Sequence, residues 1–91
     1  MKDILFDGHR ILTTDDVADA VLDYARVLLD RDETDIVHFP TLYDGSLSQC
    51  AILLGANGVL AVVDAFIDLP MVVDGADRAC AEISRRADAL R

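Results

Sequence analysis

His38 and Asp64 are the two side chains whose types suit acid and base work, and the turn signals around them supply a register that brings them together. Asp44-Gly45 and Asn57-Gly58 are the two-residue pairs a type I′ hairpin turn prefers, since both central residues need positive φ. If Tyr43 pairs with Ser46 across the first turn, Leu42 faces Leu47, Pro40 faces Gln49, His38 faces Ala51 and Ile36 faces Leu53. If Ala56 pairs with Val59 across the second, Ala51 faces Asp64 and Gln49 faces Phe66. His38, Ala51 and Asp64 then form one row across three strands, the outer two about 10 Å apart with a single methyl between them. A carboxylate there would raise the imidazole pKa and fix its tautomer, and Gln49, one diagonal step away, would join the pair.

A plainer reading outweighs this one. A His and an Asp on a partly exposed sheet face more often make an isolated polar contact or break up an aggregation-prone surface. Ser48 and Cys50 fall on the face opposite His38, so neither can serve it as a nucleophile. The chain carries no glycine-rich phosphate loop, HExxH, CxxC, GxSxG or EF-hand loop. Its two histidines and scattered carboxylates do not converge as a zinc site requires. No cofactor and no metal are therefore expected, and the balance favours a domain that is not an enzyme.

The elements that must position these residues follow from alternation and helical spacing. Asp3 to Leu12 is apolar on both sides of Asp7-Gly8, a further hairpin in which Phe6 pairs with His9 and Ile4 with Ile11. His9 sits beside that turn and reads as a solvent-exposed residue. Thr13 to Asp16 supplies a cap and first-turn carboxylates for a helix from Asp15 to about Arg31, with Val17, Val21, Tyr24 and Leu28 on its apolar face. Its opposite stripe holds Asp16, Asp19, Asp23 and Asp30. A second helix runs from about Gly75 to Leu90, with Asp74 as N-cap. Pro40 cannot donate to a ladder, which predicts that its strand lies at an edge or bulges there. Met71 to Val73 is a candidate short edge strand.

Side-chain alternation sorts the meander into two faces. Val37, Phe39, Cys50, Ile52, Leu54, Ala61, Val63 and Ala65 are expected toward the core. The other face collects Ile36, Leu53, Leu60, Val62 and Phe66 as an apolar patch. The order ββαβββα predicts an α+β two-layer sandwich, an antiparallel sheet with two helices on one face. A patch of that size on the other face marks an interface, and a homodimer is the simplest way to cover it.

Composition narrows the classes. Ninety-one residues, 53% hydrophobic and 27% charged, make one globular domain, 1–91. Seventeen acids against eight bases leave a net charge of −9, which repels phosphate backbones and anionic lipid. Neither nucleic acid nor membrane is an expected partner. Cys50 and Cys80 read as buried reduced thiols, and MKDILFDGHR shows no export signal, so the expected location is cytoplasmic. The expected function is a small interaction or regulatory domain, homodimeric through one sheet face. Two alternatives stand beside it: a ligand binder or enzyme using His38 and Asp64, and an antitoxin-like acidic inhibitor presenting the aspartate stripe to a basic partner.

Overall fold

The computed structural model describes residues 1–43, 45–55, 60–65 and 73–91. Its elements are β1 (Lys2–Phe6), β2 (His9–Thr13), α1 (Asp15–Arg31), β3 (Asp35–Tyr43), β4 (Ser46–Leu54), β5 (Leu60–Asp64) and α2 (Ala76–Leu90). The five strands form one antiparallel sheet in the order β4-β3-β2-β1-β5, and both helices pack on one face of it.

Both hairpins form in the registers their turn residues predict. Asp7 and Gly8 adopt φ of 49° and 79°, the left-handed pair a type I′ connection needs, and Phe6 faces His9. Across the second hairpin Tyr43 faces Ser46, and the ladder runs without interruption to Asp35 opposite Leu54. The Thr14 hydroxyl accepts from the Val17 amide to cap α1, and Asp32, in the left-handed region, closes it. At α2 the capping position is Gly75, with φ 86°, rather than Asp74. The glycine backbone makes that bend freely, and Asp77 alone supplies acid to the first turn.

The expected three-stranded meander does not form. β5 crosses to the far side of the sheet and pairs with β1, placing Val62 opposite Ile4 and Leu60 opposite Phe6. The burial pattern gives the reason. On β1 the fully buried Ile4 faces the helices, so pairing there turns Leu60 and Val62 inward to pack on the core and leaves Ala61 and Val63 on the open face. Pairing with β4 in the predicted register would have turned the smaller Ala61 and Val63 inward instead. Val63, expected in the core, is 47% exposed. The Asn57-Gly58 turn, Phe66 and most of the Met71 to Val73 segment lie outside the described residues. Val73 itself packs against the core.

Pro40 sits in β3, one strand in from the edge, and not at the edge itself. With a two-residue connection closed by Tyr43 and Ser46, hydrogen-bonded pairs alternate down the ladder, so the backbone groups of Leu42, Pro40, His38 and Ile36 point away from β4. The missing donor therefore faces β2, where pairing shrinks to the single register position Leu12 with Leu42. Two buried threonine hydroxyls close this seam reciprocally. Thr13 Oγ1 donates to the Pro40 carbonyl at 2.9 Å, and Thr41 Oγ1 donates to the Leu12 carbonyl at 2.7 Å.

The core lies between sheet and helices. Ile4, Val37, Phe39, Ile52 and Leu54 meet Val17, Val21, Leu28 and Ile83, all 8% exposed or less. Among the described residues no helix is long and apolar enough to cross a membrane.

Candidate functional site

β3 carries His38 outward onto the face the helices leave open, beside Ala51 of β4 as expected. β5 carries Asp64 to the opposite side of the sheet, where it pairs with Lys2. Two strands, β2 and β1, now stand between them, about 14 Å at three strand spacings. The row of His38, Ala51 and Asp64 is therefore not assembled, and Gln49 is the only candidate left near His38.

The residues expected at an interface divide in the same way. Ile36 and Leu53 lie on the open face, 51% and 47% exposed. Leu60 and Val62 face the helices, and Phe66 is outside the described residues. Leu47, 50% exposed, joins Ile36 and Leu53, and Leu42 and Leu12 continue the row across β3 and β2.

On the helix-facing side, beyond the reach of the helices, the two hairpins enclose a groove of about 580 Å³. Phe6, Ile11 and Ile52 form apolar parts of its wall; His9, Tyr43, Ser48, Gln49 and Cys50 bring polar atoms to it. Parity alone could have found His9, because its place opposite Phe6 puts it on the face of Ile4 and Ile11. What the turn signals do not encode is the β2 to β3 seam that brings the hairpins side by side. Neither Cys50 nor Thr41 is an activated nucleophile there. Burial pushes the Cys50 thiol up, so it stays protonated at neutral pH, and the Thr41 hydroxyl is committed to the Leu12 carbonyl.

The densest polar cluster is structural. Tyr24 on α1 donates to Asp35 Oδ2 at 2.6 Å, and Arg86 on α2 donates to the same oxygen at 3.0 Å and to the Ile36 carbonyl at 3.1 Å. Burial pushes the Asp35 carboxyl up, but the bonds from Tyr24, the Ile36 amide and Arg86 outweigh it and hold it below the usual range. Burial, reinforced by Asp35, pushes the Tyr24 phenol up to about 12. Glu82 is held at about 2 by Arg85 and Arg86. These contacts tie α1, β3 and α2 together. Tyr24 reads from the sequence as a plain core residue; only the fold reveals its polar end.

The acidic stripe on α1 is largely answered within the molecule. Lys2 Nζ lies 2.9 Å from Asp19, Arg26 bridges Asp23 and Asp30, and Arg91 reaches Asp23 from the end of the chain. Hydrogen bonds from Arg91 and Arg26 lower the Asp23 pKa. Among the described residues no three His, Cys, Asp or Glu side chains gather closely enough to hold a metal ion. Compared with protein-family models, curated proteins and solved structures, the chain matches none.

Proposed function

We propose that the protein is a small interaction module that works as a homodimer, two copies meeting on the β3 and β4 side of the sheet. The observation that carries this reading is the distribution of exposed apolar side chains. With both helices on one face, Ile36, Leu47 and Leu53 stand about half exposed on the other, clustered on the two strands farthest from β5, while Val63 on β5 stands half exposed apart from them. A patch of this kind usually marks an interface. A second copy fits it by charge. The chain as a whole carries −9, yet the described strand positions of this face present one acid, Asp3, and one base, Arg10, 3.7 Å apart. Two copies can therefore bring the β3 and β4 sides of their sheets together without net repulsion.

Sedimentation velocity across a range of concentrations tests the reading. The wild type is expected to run as a dimer, and Leu53→Lys to run at least tenfold more weakly associated with its fold intact by circular dichroism. Leu29→Lys, at a somewhat more exposed position on α1, is expected to leave association unchanged. A monomeric wild type at all concentrations would overturn the proposal.

The groove of His9, Tyr43, Ser48, Gln49 and Cys50 favours a second reading, a small-ligand binder whose site lies between the hairpins and not at His38 and Asp64. Native mass spectrometry that finds a stoichiometric small-molecule adduct, lost on Tyr43→Ala, would support it. An adduct-free subunit mass would count against it.

A further inference from the structure

β4 is an edge strand of nine residues, Ser46–Leu54, and no strand among the described residues pairs with its outer side. Proteins usually blunt such an edge with a charge, a proline or a bulge, because a row of unpaired amides and carbonyls is a template for another strand. β4 has none of these. Its sequence, SLSQCAILL, contains no Asp, Glu, Lys, Arg or Pro, and its ladder with β3 is unbroken over all nine positions. The other edge, β5, is only five residues long and ends in Asp64.

The hairpin register also says which groups are free. The pairs Tyr43 with Ser46, Thr41 with Ser48 and Phe39 with Cys50 fall at hydrogen-bonded positions, so the amides and carbonyls of Leu47, Gln49, Ala51 and Leu53 point outward. Two copies related by a two-fold axis can pair these groups antiparallel. Overlap of the whole strand sets Leu47 opposite Leu53 of the second copy and Gln49 opposite its Ala51, each pair exchanging two hydrogen bonds. The axis then passes midway between the two copies of the central residue, so Cys50 meets Cys50 of the second copy at a non-hydrogen-bonded position. Cα atoms at such positions lie about 4.5 Å apart, within the range a disulfide spans.

We propose that the dimer forms edge to edge along β4, joining two five-stranded sheets into one of ten, with Cys50 against Cys50 at its centre. This rests on the reading that the protein self-associates, and it specifies how. The Leu47 and Leu53 side chains, half exposed in the single chain, become cross-strand partners on the open face. No charge enters the seam, although each copy carries −9. The assembly closes, because the long edge is used up and a short edge remains at either end.

Disulfide trapping tests the register. In a Cys80→Ser background, diamide is the oxidant. Its N=N bond takes up two hydrogens as two Cys50 thiols lose their protons and two electrons to form one S–S bond. The expected result is a covalent dimer as the main species, absent from Cys50→Ser, which retains only Cys80. Gln49→Pro, which removes an outward amide and leaves the β3 ladder its donors, is expected to abolish both the non-covalent dimer and the trapping. A wild type that sediments as a dimer but neither traps at Cys50 nor responds to Gln49→Pro would overturn the edge pairing while leaving self-association standing. A wild type that is monomeric and untrapped would overturn both. Should Gln49→Pro fail to fold, Cys50 trapping alone decides, since it needs no disruptive substitution.

Discussion

Asp35 is the residue that joins both helices to the sheet through one carboxylate, and its chemistry makes stability depend on acid. Its carboxylate accepts from Tyr24 and from Arg86 while sitting one-third exposed, so it links both helices to the start of β3. A carboxyl held lower in the folded state than in the unfolded chain stabilises the fold above the unfolded value near 3.8. That contribution drains away as pH falls through the lowered native value. Glu82, held at about 2, acts in the same direction over the same acid window. Asp35→Asn is therefore expected to lose about 1 kcal/mol at pH 7 and to show a flatter decline below about pH 4 than the wild type. Urea unfolding from pH 7 to pH 2.5 checks this, and parallel curves for the two proteins would remove Asp35 from the acid response. Nothing in the sequence marks Asp35 out among fifteen aspartates. Its role depends on Arg86, 51 positions away, and local spacing carries no information about such a pair.

At the scale of elements, what was legible was local. The two hairpin registers, the span of α1 and its cap at the Thr13 to Asp16 stretch follow from turn residues and helical periodicity, which act over a few positions. The partner of β5 was not legible, because Asn57-Gly58 reads as a hairpin turn whether or not the strands it joins end up adjacent. Core demand decided it, turning Leu60 and Val62 toward the helices. That reverses one expectation with a measurable result. Val62→Lys, on the predicted meander a surface change, should instead destabilise the fold by more than about 1.5 kcal/mol, the burial value of a valine side chain. Unchanged urea stability would return Val62 to the open face. The β2 to β3 seam makes a second prediction. Thr13→Val leaves the Pro40 carbonyl without its donor in a buried setting, and a loss of about 1–3 kcal/mol is expected. Thr41→Val should behave alike, and faster amide exchange at residues 12 and 42 should accompany either change. A loss under about 0.3 kcal/mol in both would mean that backbone pairing alone holds the seam.

For the molecule as a whole, the fold class was readable and the site was not. Alternation and capping predict an α+β sheet with two helices on one face, and the structure has that form. The His38 and Asp64 row depended on strand adjacency, the one property that single-residue patterns leave open, and it came apart when β5 moved across the sheet. Ile36 and Leu53 kept their places because they belong to a hairpin whose register its own turn sets. That same crossing has a consequence for how the protein is made. β1 leaves the ribosome before β5 does, and the residue opposite Ile4 is Val62, 58 positions later in the chain. At roughly 5–20 residues per second, the first hairpin waits about 3–12 s for the strand that will cover its flank. Until β5 emerges, Ile4 and Phe6 lie along an unpaired edge of β1, so synthesis opens an interval in which that edge is available to mispairing and to chaperones.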